Sequence, residues 1–372
     1  MHRTVTLICT LLLSILGRPE SLQAQDTIAQ RVKAPFLLGA AAHSGWIIPH
    51  SRELVDVSTS NPYGLEVDLA WLLADERHTR ASGLVAKRGV AFHFVDYDNP
   101  EVLGLLFSIT PYVEPMIRAQ HRLHGSIRAG VGLAYLDRPY DEATNPTNLF
   151  YSTRVSFMVM MNAYLGYHLN PRWTMNAGFN FNHISNGGMR MPNKGINFPT
   201  WSLGAQYSFK PVRITRPVRD HVWRDQPRFQ YQAMGSMSNK NAPAEVTGGS
   251  PVRCGLWGVM GVASWRTGRL TALGGGTEWV YDGYAAEQLA RAGDPESAWK
   301  GALLAGPELL SGRVRFGIWF GAYLYAPSWE GDAIYQRYQL SYTIDKGLLI
   351  GTSLKAHRHV ADVFDLRLGW VW

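Results

Sequence analysis

An all-β fold, an antiparallel transmembrane β-barrel, is predicted by three features of the chain. An apolar leader stands at the N-terminus, strand-like alternation recurs along the rest, and the last alternating segment ends in an aromatic residue, Trp372. In the leader, His2 and Arg3 precede an apolar run from Val5 to Leu16. Such a run suits a signal peptide and is too short to span a bilayer. Leu22-Gln23-Ala24 offers a cleavage point, so residues 1–24 are expected to be removed on export. Cys9 then leaves with the leader and Cys254 remains alone, which excludes an internal disulfide. Cys9 also lacks the small residues that precede a lipoprotein cysteine, which argues against a lipid anchor.

Composition points the same way. The 372 residues include 37 Gly, 13 Trp and 17 Tyr, with only 17% charged, and no later stretch is long and apolar enough for a transmembrane helix. Spanning strands with aromatic girdles produce this balance, because only every second residue must be apolar. The expected location is the cell outer membrane. The formal charge of +7 suits a phosphate-bearing partner, though exported proteins are commonly basic; nothing in it calls for nucleic acid.

The segments follow in order. Phe36 to Trp46 is Gly- and Ala-rich; Tyr63 to Leu73 sets Leu65, Val67, Leu69 and Trp71 against Glu66 and Asp68. Val90 to Tyr97 and Val102 to Ile117 are mixed. The fifth is the clearest: Leu123, Ile127, Ala129, Val131, Leu133 and Tyr135 alternate with His124, Ser126, Arg128, Gly130, Gly132 and Ala134. After a loop over Asp137 to Asn148, a sixth segment runs from Val155 to Leu169, and a seventh carries Trp173, Met175, Ala177, Phe179 and Phe181 on one face. In the eighth, Trp201, Leu203, Ala205, Tyr207 and Phe209 share a face. Residues 210–228 carry several Arg and Pro with little periodicity and read as a polar connection. Alternation returns near Phe229 to Ser236, Val252 to Trp265, Leu270 to Tyr281, Ala302 to Leu310, Val314 to Ala326, Ile334 to Ile344, Leu348 to His357 and Val363 to Trp372, with a short helix over Ala285 to Ala292.

An even total of about 12 to 16 strands follows. One barrel is the preferred architecture, because only the end of the chain supplies an unmistakable terminal strand. The Tyr207-Ser208-Phe209 ending keeps open the alternative, an eight-stranded barrel followed by a second one.

The chemistry concentrates between Phe179 and Phe209. His183 and Ser185 lie two residues apart, so on an extended strand they share the apolar face of Trp173 to Phe181, while Asn176, Asn180 and Asn182 line the other. In a membrane barrel the apolar face meets lipid, which puts a base and a hydroxyl where a lipid ester can arrive sideways. A polar strand end at the membrane interface would show the same two residues, and the Gly, Asn and Pro after them also suit a turn. His357 and His359 repeat the spacing without a third ligand, and there is no HExxH, GxSxG, phosphate-binding Gly loop or paired-cysteine pattern. No metal and no cofactor is expected.

His183-x-Ser185-Asn186-x-Gly188, followed by Pro192-Asn193-x-Gly195 and a strand ending in an aromatic, resembles the lipid A 3-O-deacylase (PagL) family, acyloxyacyl-hydrolase-like outer-membrane barrels of eight strands. The specific likeness covers about thirty residues and a looser one extends over 25–209, leaving 229–372 as further barrel strands. The resemblance implies a serine esterase that removes an ester-linked acyl chain from the lipid A of lipopolysaccharide, with outer-membrane lipid as its surroundings. It implies Ser185 as nucleophile, His183 as base, and oxyanion or substrate contacts at Asn186, Gly188 and Asn193. Where the family has a Glu that orients the His, this chain has Asn197. That departure implies lost activity or a weakened triad, with Asp137 or Glu142 of the preceding long loop as substitute carboxylates. A structural or lipid-binding barrel and a pore are the rival functions.

Overall fold

The computed structural model describes residues 34–188, 190–216, 224, 227–242, 252–358 and 360–372. The expected signal peptide, residues 217–223, 225 and 226 of the polar connection, and His359 lie outside these residues. The first eight strands are β1 (Phe36–Gly45), β2 (Tyr63–Leu73), β3 (Val85–Asp96), β4 (Leu105–Ile117), β5 (Leu123–Leu136), β6 (Val155–His168), β7 (Trp173–Ser185) and β8 (Ile196–Ser208). The second eight are β9 (Phe229–Ala242), β10 (Val252–Arg266), β11 (Thr271–Asp282), β12 (Trp299–Ser311), β13 (Val314–Tyr325), β14 (Ile334–Thr343), β15 (Leu348–His357) and β16 (Val360–Val371).

Each set closes on itself, β8 pairing with β1 and β16 with β9, so the chain forms two antiparallel eight-stranded barrels. The tandem architecture holds and the preferred single barrel does not. Alternation states which way a side chain faces but not which edge strand meets which. Eight tilted strands enclose a lumen that side chains just fill, and Tyr207 and Phe209 mark the first closure. Phe209 stacks on Phe36 and Tyr207 packs against Trp173, with ring centroids 5.4 and 5.0 Å apart, an aromatic girdle at one rim of the first barrel.

Both outer walls are apolar. On β5, Leu123, Ile127, Val131 and Tyr135 are exposed while His124, Ser126 and Arg128 are buried. Leu303, Leu309, Phe320, Leu366 and Leu368 give the second barrel the same exterior. Such a wall is stable against hydrocarbon and not against water, so both barrels are outer-membrane barrels.

The lumens hold paired charges. Arg128 donates to Glu66 Oε1 at 2.7 Å, Glu114 Oε2 at 2.8 Å and Asp68 Oδ2 at 3.3 Å. In the second barrel Arg337 bridges Glu278 (2.8 Å) and Asp365 (2.6 Å). Burying these ions is tolerable only because each carboxylate meets a guanidinium. With lumens filled in this way, the large strand count that a channel required is gone.

Among the described residues two α-helices interrupt the strands. In α1 (Glu76–Ser82) the Asp75 carboxylate caps the His78 N–H; α2 (Gly283–Ala292) starts from Asp282, which accepts from the N–H groups of Tyr284 and Ala285. Both are N-caps of the preferred residue type. Strand β3 begins at Val85, five residues before the alternation suggested, and β8 begins at Ile196 rather than near Trp201. Cross-strand pairing extends both beyond the reach of their own patterns, and the second extension shapes the site.

Candidate active site

Strand β7 carries the motif at its loop end. Phe179 and Phe181 are exposed while Asn180 and Asn182 are buried, so His183 and Ser185, in step with the phenylalanines, project from the outer wall. His183 is half-buried and Ser185 is buried under the loop that follows it. On one side the pair adjoins Val159 and Phe157 of β6; on the other, the early start of β8 sets Asn197 directly across from His183.

That register makes a hydrogen bond. His183 Nδ1 lies 2.7 Å from Asn197 Oδ1. A carbonyl oxygen can only accept, so this bond places a proton on Nδ1, and in the neutral ring Nε2 keeps its lone pair. The Asn197 amide is oriented in turn. Its Nδ2 reaches His50 Nδ1 at 3.5 Å, and His50 Nε2 donates to the Lys194 carbonyl at 2.8 Å. Lys194 pairs with Glu53 at 2.7 Å. Donor and acceptor therefore alternate from the Lys194 carbonyl to the His183 ring, an assignment made from the network.

Ser185 Oγ accepts two hydrogen bonds, from Asn193 Nδ2 at 2.9 Å and from the Gly187 N–H at 3.1 Å. Both acceptor lone pairs are then used and its own proton is free to leave. Among the described residues its hydrogen bonds are these two; none is with His183. Catalytic contacts of this kind commonly tighten only when substrate is bound.

The loop after Ser185 is held open by glycine. Gly187 and Gly188 have φ of +67° and +79°, and Gly195 has +74°. At Gly195 more than backbone freedom is at stake. A Cβ there would lie 2.8 Å from His183 Cε1, so only glycine leaves the ring its room.

The structure sorts the other expected residues. Asn193 lies on the Ser185 hydroxyl, with Oδ1 accepting the Asn186 N–H at 3.0 Å so that its Nδ2 faces Ser185. Asn186 is a scaffold: its side chain donates to Arg190 O and Ser152 Oγ and accepts the Gly188 N–H at 3.0 Å. The Gly188 N–H is thereby occupied, and the N–H beside Ser185 belongs to Gly187. Asp137 is elsewhere, accepting the Leu105 N–H at 2.7 Å, and Glu142 is exposed. Neither contacts His183 among the described residues, so the orienting group is Asn197 itself. Sequence reasoning missed Gly187 and His50. Gly187 falls within the motif and could have been found there; His50 sits in the β1–β2 loop with no local signal.

The second barrel reaches the site from outside. Phe364 of β16 stacks on Phe157, the β6 neighbour of Ser185, with centroids 5.1 Å apart and planes at 20°. A Cβ on Gly187 would lie 3.4 Å from Phe364 Cβ.

Comparison with known proteins gives a family match over each barrel. Residues 63–206 match the family model described as lipid A 3-O-deacylase (PagL), and residues 229–372 match that described as acyloxyacyl hydrolase, C-terminal domain. Among solved structures, the outer membrane enzyme PagL is similar at 17% identity and a TM-score of 0.33, covering 45% of this chain and 97% of that one. Neisserial surface protein A (NspA) is similar at 12% and 0.33, covering 47% and 97%. Ail of Yersinia pestis is similar at 12% and 0.30, covering 48% and 100%. No curated protein matches. With one family model over each barrel, the chain belongs to the outer-membrane lipid A 3-O-deacylase (PagL) family, its second barrel being the acyloxyacyl hydrolase C-terminal domain.

Proposed function

We propose that the chain is a serine esterase that hydrolyses an ester-linked acyl chain of lipid A from the membrane side of its first barrel. The observation that carries this reading is the hydrogen bond from His183 Nδ1 to Asn197 Oδ1 on the outer wall beside Ser185. It presents, in the neutral ring, a basic nitrogen available on the lipid-facing wall at the loop end of β7, where water can also arrive.

In this reading the acyl chain lies along Phe179, Phe181 and Trp201, all exposed on the wall below the motif. His183 Nε2 takes the Ser185 proton as Oγ attacks the ester carbonyl, since a serine hydroxyl is inert until a base accepts its proton. Negative charge gathers on the carbonyl oxygen, and Asn193 Nδ2 and the Gly187 N–H, which now hold Ser185 Oγ, are the donors that can turn to it. The imidazolium returns the proton to the departing sugar hydroxyl, leaving an acyl-serine. Water, deprotonated by His183, then releases the fatty acid and restores the hydroxyl.

Removing Asn193 tests the donor role. Asn193→Ala is expected to lower kcat about a hundredfold, the usual cost of one oxyanion donor, with KM little changed. A loss confined to KM would assign Asn193 to ground-state binding instead.

The uncharged Asn197 favours a second reading, a barrel that binds lipid A without turning it over. One experiment separates the two: mass spectrometry of lipopolysaccharide incubated with the purified, folded protein. Loss of the mass of one ester-linked acyl chain is expected, with the matching free fatty acid; intact lipid A after prolonged incubation would leave only the binding reading.

A further inference from the structure

We propose that the lumen of the first barrel holds a divalent transition-metal ion of the zinc class, bound by His43, Glu66 and His93. The three come from inward positions of β1, β2 and β3, where His93 lies directly across from Glu66 and His43 across from Gly64. They are 7%, 5% and 3% exposed. Their ligating atoms all lie within 4.8 Å of one another, with His93 Nε2 3.0 Å and His43 Nε2 3.5 Å from Glu66 Oε2. Two ligands each ~2 Å from one tetrahedral ion stand about 3.3 Å apart, so the spacing suits a shared centre.

An imidazole simply paired with a carboxylate would also be this close, and two further observations argue for an ion. First, His43 Nε2 is fully buried, and the Glu66 Oε2 beside it lies 3.5 Å away and is already approached by His93 Nε2 at 3.0 Å, which leaves His43 Nε2 without a good hydrogen bond, a costly state for a buried polar atom that a metal would relieve. Second, the far nitrogen of each ring is held by a hydroxyl. His43 Nδ1 lies 3.2 Å from Thr200 Oγ1, and His93 Nδ1 lies 3.2 Å from Ser108 Oγ. In the tautomer that donates each Nδ1 proton outward to its hydroxyl, both Nε2 lone pairs face the centre, the outer-shell pattern of metal-bound histidine. The set of two His and one Glu is also a known zinc donor set.

The local charge tolerates a cation. Facing the lumen from the described strands, Glu66, Asp68 and Glu114 outnumber Arg128 and Lys87 by one, and Arg128 occupies only Oε1 of Glu66. A protonated histidine could supply that charge instead, and it is the alternative to be tested. Bound metal would tie β1, β2 and β3 together below the loop that carries His50. The proposal uses inward-facing residues and stands apart from the esterase reading.

The test is metal analysis of the full-length folded protein, equilibrated with zinc and passed over chelating resin, beside His43→Gln and His93→Gln. About one retained zinc per chain in the wild type and little in either variant is expected. Cobalt substitution should give the intense visible bands of a tetrahedral site, removed by excess chelator in the wild type alone, a readout that needs no variant to fold. Wild-type protein that retains no zinc, or zinc retained equally by both variants, would overturn the assignment in favour of a protonated imidazole or adventitious surface binding.

Discussion

Ser185→Ala is expected to abolish release of fatty acid from lipopolysaccharide while leaving the barrel folded. Oγ is the only atom removed, and it serves the fold only as acceptor for Asn193 and Gly187. Losing those bonds costs about 1–3 kcal/mol each, small against a barrel closed by eight hydrogen-bonded ladders. The loss of rate is another matter, because without the hydroxyl no acyl-serine can form. Nucleophile and base act as a unit, so removing either costs nearly as much as removing both, ~10⁶-fold in the best-studied serine hydrolase. Ser185→Ala, His183→Ala and the double variant should therefore share one residual rate, read by fatty-acid release with folding checked by heat-modifiable gel mobility. Equal release by Ser185→Ala and wild type would remove the nucleophile assignment; additive losses would mean that the two residues do not share a proton.

The second large effect is expected at Asn197, in both directions. Asn197→Leu removes the acceptor of the His183 Nδ1 proton, so the ring is free to turn and to adopt the wrong tautomer; a fall in kcat of about 10²- to 10³-fold is expected. Asn197→Glu should raise kcat roughly tenfold. In serine proteases Asn in place of the acid costs ~10⁴, largely through the tautomer. Here the Asn197 amide sets its oxygen on His183 and its Nδ2 towards His50, so in the proposed mechanism the ring already holds the tautomer it needs. What is missing is the negative charge that stabilises the imidazolium, so a carboxylate has a smaller deficit to restore. His50→Phe, which removes the acceptor for Asn197 Nδ2, should lower the wild-type rate and leave the Asn197→Glu rate nearly unchanged. A Glu variant no faster than wild type at equal folding would count against the weakened-triad account.

Much of the chain was legible without coordinates, for a definite reason. Side chains alternate with a period of two along a strand, so on β5 and β7 the residues destined for lipid and for the lumen can be told apart by reading alone. The same parity put His183 and Ser185 on the outer face. Which strand closes on which is not periodic information, and there the expectation of one barrel gave way to two. The early start of β8 was invisible for a similar reason: Ile196 to Thr200 contains Pro199 and lacks clean alternation, and it is extended because β7 pairs along it while the end of β1 and the Trp46 and Ile48 N–H groups beyond it bond to its other edge.

By itself the sequence determined the membrane-facing walls, the placing of His183 and Ser185 on one face of one strand and the turn-forming residues around Asn193 and Gly195, since all of these are set by neighbours along the chain. Only the folded chain decided the contacts that join distant residues: His50 behind Asn197, Phe364 against Phe157, and His43, Glu66 and His93 around one point in the lumen. The physical reason is that barrel closure and strand register, which bring such residues together, depend on hydrogen bonds between strands, and no stretch of chain contains both partners.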